Sequence, residues 1–167
     1  MREPDDAQLS IRRAKIDEAA LLTSLALRAK IHWGYSAEFM AAARAAMIVT
    51  ATQLATQHAF VAEQDDGVIG FYKLREVTSE IVELTDLFVE PPLIGHGVGR
   101  MLWDHAVEMA RTLGYSEMTW ESDPHAEGFY LHMGAKRIGE VASGVKPGRF
   151  LPKMSYDLRK DKDIAEN

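Results

Sequence analysis

The chain has 167 residues, the size of one domain, and its 47% apolar content is enough for a core and too high for a disordered chain. A net charge of −6 argues against a nucleic-acid backbone or an anionic membrane as partner. The absence of cysteine excludes disulfides, thiolate metal sites and a cysteine nucleophile.

In chain order, residues 1–8 are polar and read as a flexible N-terminus without the apolar core of a signal peptide. No apolar run approaches the ~20 residues needed to span a bilayer, so a soluble, cytoplasmic domain is expected. Leu9 and Ile11 alternate with polar residues as a short strand, and Asp17 is read as the cap of a helix to about Lys30. His32-Trp33-Gly34-Tyr35 reads as a loop, after which Ser36 caps a helix from Ala37 to about Ile48. Thr50–Gln57 is ambiguous, with a short helical turn as one reading. Phe60–Glu63, Val68–Val77 and Ile81–Val89 form a three-strand meander, with Asp65-Asp66-Gly67 as its first tight turn and Pro91-Pro92 as its stop. Val98–Leu113 is the clearest helix: Val98, Met101, Leu102, His105, Ala106 and Met109 fall on one face, and Gly114 stops it. Ser116–Glu121 is a strand, Asp123-Pro124 opens a helix to about Met133, and Ala135–Val141 and Lys153–Leu158 are the last strands. Residues 159–167 are a charged tail. One domain over residues 9–158, of mixed α/β class, is the expectation.

Ile94-Gly95-His96-Gly97-Val98-Gly99-Arg100 lies between a strand and an amphipathic helix. Glycines there let backbone amides approach a ligand, and the helix N-terminus favours an anion, so the turn suits phosphate or pyrophosphate. It matches neither the dinucleotide fingerprint nor the P-loop. The plain alternative is a loop whose glycines serve close packing.

Leu87-Phe88-Val89-Glu90-Pro91 followed by Gly95–Leu102 resembles the acetyl-CoA motif of the GNAT superfamily of N-acetyltransferases. Asp123-Pro124-His125-Ala126-Glu127-Gly128-Phe129-Tyr130 through Ala135 is similar to a second element of that family. Ile94 departs from the pattern where Arg or Gln is usual, and Asp123 where Asn is usual. The resemblance implies an α/β fold with a central mixed, mostly antiparallel seven-stranded sheet flanked by about four helices. It also implies acetyl-CoA as cosubstrate and no metal. Its cofactor residues would be Leu87, Phe88 and Val89, pairing with the pantetheine arm as the strand splays from its neighbour. The diphosphate would sit on the amides of Gly95, His96, Gly97, Val98, Gly99, Arg100 and Met101, with Asp123 and Tyr130 nearby.

The implied reaction is direct attack of an amine on the acetyl thioester, which suits a chain without cysteine. A lysine-like amine of pKa ~10.4 costs about 4–5 kcal/mol to deprotonate at pH 7. A carboxylate that takes this proton is therefore sought. Glu83, six residues before Val89, leads; Asp86, placed by simple alternation on the opposite face, and Glu121 are alternatives. Tyr130 would protonate the leaving thiolate. Each of these residues has a plain reading as a solvated carboxylate or a packed core tyrosine.

His32, Trp33 and Tyr35, with Phe39 beyond them, would border the acceptor, or else cover the core. Lys146 and Arg149 in the Ser143–Arg149 loop suit a carboxylate-bearing acceptor, whereas the net charge suits a cationic one. The six histidines have no metal-ligand spacing. The favoured reading is an N-acetyltransferase acting on a small amine. The alternatives are a peptide or protein N-acetyltransferase and a non-catalytic CoA-binding module. Family analogy adds a homodimer.

Overall fold

The computed structural model describes residues 8–159, so the N-terminal residues 1–7 and most of the charged tail lie outside the described residues. The strands are β1 Leu9–Arg13, β2 His58–Gln64, β3 Gly67–Glu76, β4 Ile81–Val89, β5 Glu117–Glu121, β6 Lys136–Ala142 and β7 Phe150–Asp157. The helices are α1 Ala19–Ile31, α2 Ala37–Ala43, α3 Ala51–Thr56, α4 Val98–Thr112 and α5 Glu127–His132. The seven strands form one sheet in the order β1-β2-β3-β4-β5-β7-β6. All neighbours are antiparallel except β4 and β5, which run parallel. Among the described residues no helix is long and apolar enough to cross a membrane.

The β2–β3 hairpin turns on Asp65 and Asp66, at φ 50° and 67°, the left-handed conformation that a two-residue hairpin requires. The ambiguous segment after Thr50 is a fifth helix. Thr50 accepts from the Gln53 amide while Gln53 reaches back to the Thr50 amide, a capping box that defines so short a helix. Three boundaries differ from the sequence expectation. A 3-10 turn at Ile16–Glu18 precedes α1, so Asp17 is not its cap; Glu18 instead accepts from the Lys15 amide and from Arg12. The Ala37–Ile48 helix tightens into a 3-10 turn at Arg44–Met47. Asp123-Pro124 starts a 3-10 turn, and α5 begins only at Glu127.

Two apolar layers sandwich the sheet. On one face Leu22 and Leu25 of α1 and Leu54 of α3 pack on Val61 and Phe71. On the other, Leu102, Trp103 and Ala106 of α4 pack on Tyr72, Leu74, Met118 and Trp120. His105, on the inner face of α4 as its spacing implies, meets the Tyr72 hydroxyl at 2.6 Å. A β-bulge changes the register of β4 against β3. Leu84 faces Leu74 and Asp86 faces Lys73, which leaves Thr85 as the extra residue. The bulge overturns the simple alternation argument. Glu83 (opposite Arg75) and Asp86 (opposite Lys73) lie on the same face of the sheet, the one covered by α1 and α3.

Gly70 of β3 sits under α4 with no room for a side chain. A Cβ there would lie 2.8 Å from the Phe88 carbonyl oxygen and 2.9 Å from Leu102 Cδ1. Gly70→Ala is therefore expected to destabilise the fold by about 1–3 kcal/mol, as overpacking does. Denaturant unfolding checks this; an unchanged midpoint would mean that α4 moves away without cost.

Candidate functional site

Parallel pairing of β4 with β5 covers only Ile81–Glu117, Val82–Met118 and Glu83–Thr119. Beyond that point β5 continues to pair with β7, and β4 continues to pair with β3. The sheet forks between them. Leu87, Phe88 and Val89 are half-buried although β4 is the central strand of seven. A cavity of about 520 Å³ fills the fork. Its walls are Leu84–Val89 on one side and Glu121–Asp123 with Phe129 and Tyr130 on the other.

The cavity runs from the fork to the glycine turn, where Ile94, Gly95, Gly97, Gly99 and Arg100 line it. Gly97, at φ 88°, is the N-cap of α4 and supplies no side-chain cap. The first intrahelical bond runs from the Met101 amide to the Gly97 carbonyl at 3.1 Å. The amides of Val98, Gly99 and Arg100 precede it and have no intrahelical acceptor, which makes the turn an anion site by backbone alone. Two of the seven residues suggested for diphosphate do not fit that role through their amides. Met101 donates to Gly97, and His96 donates to the Leu93 carbonyl at 3.2 Å. The Val98 side chain is buried in the core, so this residue offers its amide alone. Gly99 faces Phe129 of α5, where an added Cβ would meet the ring at 3.6 Å.

Of the three carboxylates weighed from sequence, Asp86 and Glu121 line the cavity and Glu83 does not. Glu83 stands where strand pairing ends and is ion-paired with Arg75. Asp86 Oδ2 is 2.9 Å from Nζ of Lys73 and accepts from the Thr85 hydroxyl at 3.2 Å. Tyr130 is buried against Trp103 and Trp120 and lines the cavity. Burial, then the charges of Asp86 and Asp123, push its hydroxyl well above the ordinary tyrosine range. It therefore stays a phenol at any working pH.

Trp33 lines the cavity and stacks on His125 at 5.3 Å. His32 is exposed outside the cavity. Tyr35 stands behind the wall, donating to Asp123 Oδ2 at 2.8 Å and accepting from Arg149 at 2.7 Å. Asp123 gathers Lys30, Tyr35, the His125 amide and ring, and Arg149 at 3.6 Å. Lys30 and Arg149 also lie over the Tyr35 ring, at 4.9 Å and 5.3 Å. This cluster bridges α1, the α1–α2 loop, the end of β5 and the β6–β7 loop. It neutralises the charge that Asp123 brings to the cavity.

Sequence reasoning passes over Lys30, Lys73 and His125. Only Lys73 carries a local signal: it is the single charge in the apolar run Val68–Leu74, and such a residue needs a buried partner. No group of three or more His, Asp or Glu among the described residues is arranged to hold a metal.

The family model for the acetyltransferase (GNAT) family matches residues 26–135. The chain belongs to the GNAT acetyltransferase family. It is 38% identical over 79 residues to peptidyl-lysine N-acetyltransferase YjaB of Salmonella typhimurium, a match covering 47% of this chain and about half (49%) of that relative. In fold it is similar to a GCN5-related N-acetyltransferase from Rhodopseudomonas palustris (TM-score 0.75, 20% identity, 89% of this chain and 94% of the other). The PaiA N-acetyltransferase of Thermoplasma acidophilum, solved with coenzyme A, gives a TM-score of 0.70 at 16% identity over 90% and 99%. YncA from Salmonella typhimurium, described as a putative acetyltransferase with its cofactor acetyl-CoA, gives 0.66 at 25% over 90% and 94%.

Burial alone would raise the Asp123 pKa, but hydrogen bonds from Lys30, the His125 amide and Tyr35 outweigh it and hold it at about 2. A folded-state value below the ordinary 3.8 adds stability above that ordinary value, and the contribution is lost as pH falls through about 2. Wild type is expected to lose on the order of 2 kcal/mol between pH 5 and pH 2 that Asp123→Asn does not lose. Urea unfolding of both proteins across that range checks it; parallel curves would contradict it.

Proposed function

We propose that the chain is an acetyl-CoA-dependent N-acetyltransferase acting on the amino group of a small molecule. The observation that carries this is the fork. Backbone of Leu87–Val89, paired with β3 on one edge and free of β5 on the other, leads directly to the uncapped N-terminus of α4. An extended amide-bearing arm fits the first, and a diphosphate fits the second. Acetyl-CoA supplies an acetyl thioester when bound. The residues present fit it through backbone donors, with Arg100 a side-chain cation lining the cavity at the glycine turn.

Asp86 takes the proton from the acceptor's ammonium. It lines the fork next to Leu87, on the face covered by α1 and α3, whereas Glu83 is outside the cavity and held by Arg75. Tyr130, kept as a phenol by its surroundings, donates its hydroxyl proton toward the leaving sulfur. The Tyr35–Arg149–Asp123–Lys30 bridge supports a small acceptor. It ties the α1–α2 loop to the β6–β7 loop beside the cavity, which favours a compact acceptor. The peptide reading is favoured by the name of one relative, matched over half its length.

Asp86→Asn is expected to lower kcat/KM for a small primary amine by about 100-fold or more, with acetyl-CoA still protecting the protein against thermal unfolding. Glu83→Gln is expected to retain most activity. Thiol release with a panel of small amines and lysine peptides checks both claims. An Asp86→Asn enzyme that turns over normally would remove Asp86 from the role, and preferred turnover of peptides would replace the small acceptor.

A further inference from the structure

We propose that Lys73 is a positioning residue for this reaction: it fixes the Asp86 carboxylate in the fork through its Oδ2 oxygen. The inference rests on Asp86 as the proton acceptor.

Lys73 sits in the middle of β3 and is 4% exposed. A lysine so buried is rare unless it is paired. Its Nζ is 2.9 Å from Asp86 Oδ2 and 2.9 Å from Gln53 Oε1. Gln53 is itself fixed, because the same Oε1 accepts from the Thr50 amide in the capping box of α3. The ammonium is thus anchored from the helix layer and presented to the strand.

The bulge completes the arrangement. Thr85, the extra residue, donates to the Lys73 carbonyl at 3.4 Å and to Asp86 Oδ2 at 3.2 Å. Without the extra residue Asp86 would fall on the α4 face, away from Lys73. Both contacts to Asp86 fall on Oδ2. Oδ1 accepts no hydrogen bond from any described residue and is left for an incoming ammonium.

A buried ion pair is a costly way to fill a sheet face, where an apolar pair would pack as well. Its chemical consequence lies at the fork. A carboxylate held through one oxygen keeps a single orientation toward the acceptor. Other charged or titratable groups near it are Glu83 with Arg75 on the same sheet face, Lys30 of α1, Glu121 and Asp123 beyond β5, and Tyr130 of α5. Of these groups, Lys73 alone contacts the Asp86 carboxylate.

The test is steady-state turnover of a small primary amine by Lys73 variants, with acetyl-CoA protection against thermal unfolding as the check that the fold and the cosubstrate site are kept. Lys73→Met and Lys73→Gln are expected to lower kcat about tenfold or more with KM for acetyl-CoA unchanged, and Lys73→Arg, which restores the cation, to regain most of that loss. Gln keeps hydrogen-bonding capacity, so it serves if Met fails to fold. Wild-type kcat in the Met and Gln variants, or no recovery with Arg, overturns the role of Lys73 while leaving Asp86 in place. Wild-type turnover by Asp86→Asn would instead overturn the reading beneath it.

Discussion

Three residue pairs hold β4 to β5, and then the two strands part. The cavity between them depends on that divergence. A central strand is normally buried on both faces and paired on both edges, so its backbone has nothing left to offer a ligand. Here β4 keeps β3 along one edge and loses β5 along the other after Glu83. β5 is held away because it pairs over its whole length with β7, while α5 places Phe129 and Tyr130 against the gap. The glycine turn then carries the chain from the end of β4 into α4, so freed strand backbone and uncapped helix amides border one continuous cavity.

Electrostatics around the fork are settled by pairs rather than by bulk charge. Asp86 is matched by Lys73, Asp123 by Lys30 and Arg149, and Glu83 by Arg75. Glu121 lines the cavity from the exposed end of β5. A net charge of −6 therefore coexists with a turn whose free helix amides suit an anion without any basic side chain. Each pairing also has a mechanical effect. The Asp123 cluster ties two loops together beside the cavity, and the Lys73–Asp86 pair joins α3 to β4 through Gln53.

Most of the fold was legible because it rests on local patterns. The strand meander, the amphipathic α4 and the Gly114 stop all follow from periodicity and turn chemistry, as does the succession of seven strands along the chain, whereas the place of β7 between β5 and β6 does not. The glycine turn and Tyr130 were legible as motifs. The bulge at Thr85 was not, since nothing in the residues 81–89 marks an extra residue and strict alternation put Asp86 on the wrong face. Partners far apart in sequence were equally hidden. Asp123 meets Lys30 across 93 residues, and Tyr35 meets Arg149 across 114. The departure of Asp123 from the family pattern signalled a charge near the cofactor; only the folded chain shows the cations that balance it.

Hydrogen exchange on the free protein and with acetyl-CoA tests the central claim most directly, since the fork and the turn are proposed to bind through backbone groups. The account predicts that acetyl-CoA slows exchange at residues 87–89 and 98–100, while β1 and β2, on the far side of the sheet, stay unchanged. Unchanged exchange at 87–89 under saturating acetyl-CoA would contradict it.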